Sequence, residues 1–398
     1  MSKINIRILF VFNFCIGFIF YAPLAIIYFA HVSGSYTLGT SIFGIIMLSA
    51  ASFEVPTGVL SDTVGRRRTL ILGSWTRVAA FVCYAIGASY WFLVIGAVLE
   101  GISRAFYSGN NDALLYDTLS DTGDTSKYKE YLGKTNSAEF VGLTLSSVIG
   151  SLVATISFSY VMWMAVASQI ILLIVSYQLI EPRSHRKNDM GIYTHIREVL
   201  ALFVSNRKLR LLSIATILDN SLSELAYQFR GAFFISIWPV WALGISSLIS
   251  NACATVGMYM SGKILNTMKS ETALLFRSVA DRLINIISLV FPTILSPVLM
   301  SSTSFMYGVG VTAENDLRQK EFTHHQRATM GSLISLGRSI GAAGMTLVLG
   351  KAADIYGPRI ALLQMTILAL SVTAVYGAIY RDHRLAIIDG KEYTFPSS

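Results

Sequence analysis

The amino-acid sequence predicts an all-α membrane protein with about twelve transmembrane helices. The first observation is composition: 53% of the 398 residues are apolar and 14% are charged, whereas a soluble domain has roughly 25% charged residues. The second is spacing, because the apolar residues fall in blocks of about twenty, the length that a helix needs to cross hydrocarbon. The third is that lysine and arginine gather in alternate loops, as in membrane proteins of fixed orientation.

Twelve apolar blocks separated by loops are interpreted as spans. The first block is too long for the core of a signal peptide, so it is predicted to be the first transmembrane helix. The predicted spans are 6–30, 39–60, 69–88, 90–115, 132–156, 160–180, 210–233, 237–261, 272–295, 297–314, 328–350 and 359–380.

The loop charges predict the orientation. If the N-terminus is cytoplasmic, the basic residues on the outer side are Arg230, Lys351 and Arg359, and the other basic loop residues lie inside. Because lysine and arginine accumulate in cytoplasmic loops, we expect a multi-pass protein of the inner membrane with both termini in the cytoplasm. The net charge of +8 then reflects loops that face anionic lipid, and no nucleic-acid partner is expected.

The longest loop divides the chain into related halves. We predict a six-helix bundle at 1–180, a cytoplasmic linker at 181–209 with an amphipathic helix, and a second six-helix bundle with a cytoplasmic tail at 210–398. Two bundles with glycines and charged residues at equivalent positions are typical of transporters built from parallel repeats. A shift of 199 residues superposes Gly58 on Gly257, Gly109 on Gly308, Asp117 on Asp316, Gly142 on Gly341, and Glu139 on Arg338.

The loop between the second and third predicted spans has the most specific pattern in the chain. It reads Gly58-Val-Leu-Ser-Asp62-Thr-Val-Gly65-Arg66-Arg67-Arg68-Thr-Leu70. In this loop Gly58 permits close helix approach, Gly65 permits a tight turn, and Asp62 can pair with Arg66 and Arg67. These residues predict a conformational latch whose charge pairs break when the helices move. The pattern resembles the signature loop of the major facilitator superfamily, G-x-x-x-D-x-x-G-R-R-x-x-L, with every fixed position present.

The resemblance implies two pseudo-symmetric bundles that alternate access to a central cavity lined by spans one, four, seven and ten. The corresponding loop of the second half has Ser261 in place of the aspartate and lacks the arginine pair. Drug/proton antiporters of the family have a Gly-Pro pair in span five, whereas this chain has Gly142 and Gly150 without a proline. Antiport therefore does not follow from that motif.

Ionisable residues inside the spans are candidate coupling sites, since a charge at the bilayer centre costs roughly 2.5–3.5 kcal/mol on insertion scales. Burial disfavours the charged form of a carboxyl group, which lets it take up and release protons near neutral pH. We expect Glu224, followed by Asp219 and by Glu139, to couple transport to protons, with sodium as the other candidate ion. The alternative is a polar contact of the span-seven carboxylates with Arg104 or Arg338.

Other intramembrane charges are predicted to pair. Glu100 and Arg104 are four residues apart, in the favourable order for a helical pair. In span nine, Arg277, Asp281 and Arg282 are expected to pair locally rather than to take part in transport.

The substrate is expected to be a small molecule that contacts polar and aromatic side chains. Glu54 and Arg77 lie at similar depth in the membrane. They are predicted to form a structural ion pair and are not among the candidate substrate-binding residues. The candidate substrate-binding residues are Asn13, Tyr21, Arg104, Tyr107, Tyr227 and Arg338.

These patterns favour a monomeric secondary transporter that exports a small organic or amphiphilic compound by proton-coupled alternating access in the lipid bilayer. Uptake of a nutrient or metabolite is the alternative, and a non-transporting membrane receptor is the alternative from another class. The sequence has no H-E-x-x-H, no G-x-S-x-G and no Walker phosphate loop, so neither an enzyme nor direct ATP drive is expected. No metal site or cofactor is expected either.

Overall fold

The computed structural model describes residues 2–121, 123–182, 207–321 and 326–388. Regular structure within these ranges is helical. Most of the predicted linker, including its amphipathic helix, lies outside the described residues. The α-helices are α1 Ser2–Gly17, α2 Ala25–Ser33, α3 Tyr36–Val64, α4 Arg66–Ile86, α5 Tyr90–Tyr107, α6 Asn110–Ser120, α7 Tyr128–Ala154, α8 Phe158–Gln178, α9 Arg207–Phe234, α10 Leu243–Thr267, α11 Ser270–Val290, α12 Ser296–Ser302, α13 Ser304–Glu321, α14 Gln326–Tyr356, α15 Pro358–Leu368 and α16 Leu370–Ile388.

These helices form the twelve predicted spans because four spans consist of two helices each. The pairs are α1 with α2, α5 with α6, α12 with α13, and α15 with α16. Two of the breaks have a visible cause. Pro23 cannot continue the ladder of helical hydrogen bonds, and Gly109 has a φ of 70°, a conformation that other residues rarely adopt. The predicted fold class is confirmed.

Eight of the spans are long and apolar enough to cross a membrane by length and composition. The four described spans that do not meet this criterion are α9, α11, α12 with α13, and α14. All four lie in the second half of the sequence. Charged residues lie within two of these helices, Asp219 and Glu224 in α9 and Arg277 and Arg282 in α11, and they lower the hydropathy of those two spans.

The described residues belong to two compact units. The first unit is made of those within Met1–Asp189, Gln228–Leu248 and Ala342–Pro358. In it, α4 packs on α5 and α8, α5 packs on α3, and α1 packs on α7. Its buried centre includes Leu9, Phe12 and Leu114.

The second unit is made of the described residues within Met190–Tyr227, Ile249–Gly341 and Arg359–Ser398. In it, α11 packs against α13 and against α16. Polar side chains are buried on α11, among them Arg277, Ser278, Arg282, Asn285 and Ser288. The predicted division into bundles at 1–180 and 210–398 stays a prediction.

Candidate functional site

The signature loop forms a charge cluster around Arg66. Gly65 ends α3 with a φ of 103°, which explains the glycine at this position. The Arg66 guanidinium lies 3.3 Å from an Asp62 oxygen and 3.8 Å from an Asp117 oxygen. It also donates a hydrogen bond of 3.0 Å to Asn110. The predicted pair of Asp62 with Arg66 is present, and α6 supplies two further acceptors that the sequence did not reveal.

A second carboxylate caps the helix that follows the loop. The two oxygens of Glu181 accept hydrogen bonds from the backbone N–H groups of Arg66 and Arg67, at 2.7 and 2.8 Å. The first N–H groups of a helix lack partners within the helix and carry partial positive charge. Glu181 therefore stabilises the start of α4 and ties the start of the predicted linker to the signature loop. Arg67 also donates to the carbonyl oxygen of Tyr177 at 2.8 Å.

The expectation that Gly58 permits close helix approach is wrong for this structure, since a Cβ there would meet no described atom within 4 Å. The close approach of α5 to α3 occurs instead at Gly101, where a Cβ would lie 2.5 Å from Cβ of Ser49 and 2.6 Å from the carbonyl oxygen of Ile46. Backbone atoms can contact at this position because glycine has no side chain.

A buried polar network surrounds Glu100 on α5. The Glu100 side chain accepts hydrogen bonds from the hydroxyls of Tyr21 and Tyr84, at 3.3 and 3.0 Å. Its other oxygen accepts from Nε and Nη2 of Arg104, at 3.1 and 2.7 Å. The predicted pair of Glu100 with Arg104 is therefore present. Glu100 is 1% exposed, whereas the Arg104 side chain is 49% exposed, so one guanidinium edge is fixed while much of the group is accessible.

Arg77 does not form the predicted pair with Glu54. Within the described residues it donates to Gln169 at 2.9 Å and to the carbonyl oxygen of Ile16 at 3.0 Å. Its guanidinium also lies 5.8 Å from the ring centre of Tyr107. The partners of Arg77 belong to the first six predicted spans. The similar predicted depth of Glu54 and Arg77 in the membrane did not identify them.

Three predicted substrate-binding residues are buried in the first unit. Asn13 exchanges hydrogen bonds with Asn111, at 2.5 and 3.3 Å, and joins α1 to α6. Tyr21 contacts Glu100 as described, and the Tyr107 hydroxyl donates to Ser74 at 3.1 Å. These contacts join helices to each other, which favours a packing role over direct contact with a substrate. Their predicted role in substrate binding remains a prediction.

Glu139, a predicted coupling residue on α7, is half-buried in the first unit. Its backbone lies against α1, where a Cβ on Gly17 would collide with the carbonyl oxygen of Glu139. Its carboxylate is close enough to Arg77 and Arg104 to interact electrostatically with both. The first unit thus brings together two of the predicted site residues, Glu139 and Arg104.

Asp219 on α9 lies in a charge cluster of the second unit. It is 2% exposed and contacts Arg277 at 2.8 Å and Arg282 at 2.5 Å. Arg282 also contacts Asp281 at 2.5 Å, and Asp281 accepts a hydrogen bond of 3.0 Å from Asn285. The local pair within α11 is therefore present, but both arginines also reach across to α9. Arg104 and Arg338 are not the partners of Asp219.

Glu224 lies five residues further along α9 and is exposed. Glu224 and Arg338 are both close enough to Tyr307 to interact electrostatically with its hydroxyl. Ser221 donates a hydrogen bond of 3.0 Å to the carbonyl oxygen of Arg338, which fixes α9 beside α14. Tyr227 is 41% exposed on the same helix. Glu224, Tyr227 and Arg338 are thus accessible groups of the second unit. Among the described residues, no group of three His, Cys, Asp or Glu side chains is placed to hold a metal ion.

The chain matches the family model of the Major Facilitator Superfamily over residues 8–344. It is 23% identical to the class B tetracycline resistance protein of Escherichia coli over 333 residues, or 77% of each chain. It is 24% identical to an uncharacterized MFS-type transporter of Methanocaldococcus jannaschii, over 87% of this chain and 90% of the relative.

Solved structures show the same fold. The nucleoside transporter NupG, in a mutant form, superposes with a TM-score of 0.82 at 15% identity, over 96% of this chain and 100% of that one. A bacterial homologue of the lysosomal transporter Spinster superposes with a TM-score of 0.76 at 12% identity, over 96% of this chain and 97% of that one. The family model spans most of the sequence and includes the signature loop. The chain therefore belongs to the major facilitator superfamily and is a membrane transporter rather than an enzyme.

Proposed function

We propose that the protein is a proton-coupled secondary transporter that exports a small organic or amphiphilic compound by alternating access. The main supporting observation is the contrast between the two carboxylates of α9. Asp219 is held by two arginines, whereas Glu224 is exposed and within electrostatic range of Tyr307. The two arginines occupy both oxygens of Asp219, so the exposed Glu224 is the better candidate for the residue that couples transport to protons.

The similarity to a tetracycline resistance protein supports export of an organic compound. In the first unit, Arg104 is fixed by Glu100 and still half-exposed. This accessibility supports contact of the Arg104 guanidinium with a polar or anionic part of a substrate. Tyr227 offers an accessible aromatic ring in the second unit. We assign substrate contact first to Arg104, Tyr227 and Arg338, and a supporting role to the buried residues Asn13, Tyr21 and Tyr107.

Uptake of a metabolite is the second candidate. It is supported by the similarity to the raffinose permease of Escherichia coli, at 23% identity over 59% of this chain and 58% of the relative, and by the fold shared with NupG. The same residues would serve transport in either direction. We further propose that the protein is monomeric in the inner membrane with both termini cytoplasmic, as the loop charges indicate.

The test begins with a ligand. Purified protein is screened by thermal shift against a panel that includes tetracycline, nucleosides and raffinose, and the best stabilising compound is used in proteoliposomes. We expect an imposed pH gradient to drive accumulation of this compound, and a protonophore to abolish it. Accumulation that persists with a collapsed pH gradient and an imposed sodium gradient would replace proton coupling by sodium coupling.

Glu224→Gln then tests the coupling residue. We expect this variant to fold, to bind the compound and to lose both pH dependence and gradient-driven accumulation. Glu139→Gln is the comparison variant: it neutralises a half-buried carboxylate in the first unit that ranks below Glu224 as a coupling candidate, so we expect a smaller effect. A stable Glu224→Gln protein with the pH dependence of the wild type would contradict the assignment.

A further inference from the structure

Asp354 joins the end of α14 to the beginning of α3. Its Oδ1 accepts a hydrogen bond of 2.6 Å from the backbone N–H of Tyr36. Its Oδ2 accepts bonds of 2.9 and 2.6 Å from the backbone N–H and the hydroxyl of Thr37. The residues joined are more than 300 positions apart in sequence, and all lie in the first compact unit. One exposed carboxylate therefore accepts three hydrogen bonds from the first turn of another helix.

Asp354 completes the capping of α3. The first N–H groups of a helix have no partner within the helix. The Ser35 hydroxyl accepts from the N–H of Leu38 at 3.1 Å, but the N–H groups of Tyr36 and Thr37 are bonded to Asp354. A negative charge at a helix N-terminus is also stabilised by the helix dipole. Loss of the carboxylate would leave two backbone donors and the Thr37 hydroxyl without this acceptor.

Behind this contact the two helices pack through small residues. Thr40 is 1% exposed and donates a hydrogen bond of 2.8 Å to the carbonyl oxygen of Thr346. A Cβ on Gly350 would lie 2.6 Å from Cα of Thr37, and a Cβ on Gly44 would lie 3.3 Å from Cα of Ala343. The helices thus approach each other closely along two turns through small residues, and Asp354 and Thr40 form hydrogen bonds between them.

We propose that the hydrogen bonds of Asp354 to Tyr36 and Thr37, here called the clasp, hold α3 and α14 together at this end of the transporter and break when this end opens. The inference rests on the proposed alternating access, because the two helices come from the two predicted halves and such transport requires the halves to part at each end in turn. The loop charges place Lys351 and Arg359, on either side of Asp354, on the outer face. The clasp therefore closes the outer end.

The experiment measures access to the interface behind the clasp. In a background with Cys15, Cys83 and Cys253 changed to alanine, Thr40→Cys places one thiol under the contact. Its reaction rate with a membrane-impermeant maleimide is measured in intact cells and in inverted vesicles. The rate is compared between the Thr40→Cys protein with Asp354 intact and the same protein with Asp354→Asn. Asp124→Asn is the control, because Asp124 is an exposed carboxylate that contacts Lys127 within its own loop.

We expect Asp354→Asn to raise the labelling rate in intact cells by roughly fivefold to tenfold, the size of effect expected from losing a charged helix cap. Asp124→Asn should leave the rate unchanged. Thr37→Val removes the hydroxyl bond but keeps both backbone bonds, and a smaller increase is expected. If Asp354→Asn is poorly folded by size-exclusion chromatography, Thr37→Val provides the same comparison.

Two other outcomes are informative. Equal labelling rates for the parent Thr40→Cys protein and its Asp354→Asn and Thr37→Val variants, in intact cells and in inverted vesicles, would overturn the clasp. Faster labelling of Asp354→Asn that is confined to inverted vesicles would support the clasp and contradict the proposed orientation of the chain. The failure of the clasp is thus distinguished from the failure of the proposed topology.

Discussion

Replacing Asp219 by asparagine tests whether this carboxylate is structural. Asp219 is 2% exposed and contacts Arg277 at 2.8 Å and Arg282 at 2.5 Å. Asparagine has the same shape but no charge. After the substitution Arg277 loses the carboxylate that it contacts, while Arg282 keeps its contact with Asp281. The two buried arginines, Arg277 and Arg282, then have one carboxylate fewer to balance their charges.

The expected magnitude follows from the burial of the cluster. Removing one partner of a buried ion pair costs about 3–5 kcal/mol, since the other charge stays buried without compensation. The side chains of Asp219 and the two arginines are 3% and 8% exposed, so solvent screens them little. We expect Asp219→Asn to lower the free energy of unfolding by about 3–5 kcal/mol and to lower the melting temperature in detergent by several degrees.

The assay is scanning fluorimetry of purified protein, together with expression in the membrane. A second change, Arg277→Gln, should restore part of the melting temperature in the Asp219→Asn protein, because it removes the uncompensated cation. The control is Asp124→Asn, whose ion pair with Lys127 is exposed and therefore screened by solvent, so little change in melting temperature is expected. An Asp219→Asn protein that melts like the wild type would refute the structural assignment. If that protein also lost the pH dependence of transport, Asp219 would be the coupling residue.

Three further predictions follow from other contacts. Asp62→Asn should impair transport while insertion stays intact, since it removes a charge from the Arg66 cluster; transport at the wild-type rate in a well-expressed variant would contradict the latch. Glu181→Gln should destabilise the start of α4 by about 1 kcal/mol, the usual cost of a lost cap, and hydrogen exchange at that helix end measures it. Burial alone would raise the pKa of the Asp354 carboxyl, but hydrogen bonds from Thr37 and Tyr36 hold it below its ordinary value of 3.8. The clasp is then fully formed above about pH 4 and weakens only as the pH falls through the lowered pKa, so the ratio of labelling rates between Asp354→Asn and wild type should stay constant from pH 5 to 8. A ratio that falls toward pH 5 would contradict this.

Much of the fold could be predicted because it depends on local patterns. Blocks of about twenty apolar residues mark the spans wherever they stand in the chain. The signature loop could be predicted from the sequence because its residues lie within one short segment, and Asp62 does contact Arg66. The pair of Glu100 with Arg104 was readable for the same reason, since residues four apart share a helix face.

The partners of buried charges could not be predicted in this way. Arg77 was expected to pair with Glu54, yet it lies against Gln169 and Ile16. Spacing in sequence gives the depth of a residue in the membrane, but it does not give the direction in which the helix presents it or the helix that lies opposite. The placement of Gly101 rather than Gly58 at a close contact has the same cause.

The sequence by itself determined the number of spans, the family signature and the local charge pairs. The tertiary structure decided which helices neutralise Asp219, and it showed that Glu181 and Asp354 cap helices that are remote in sequence. These three carboxylates share one property: each accepts hydrogen bonds from a helix to which it does not belong. Hydropathy and periodicity describe one helix at a time, whereas a charge in or near a membrane is stabilised by whichever donor the packing brings within about 3 Å.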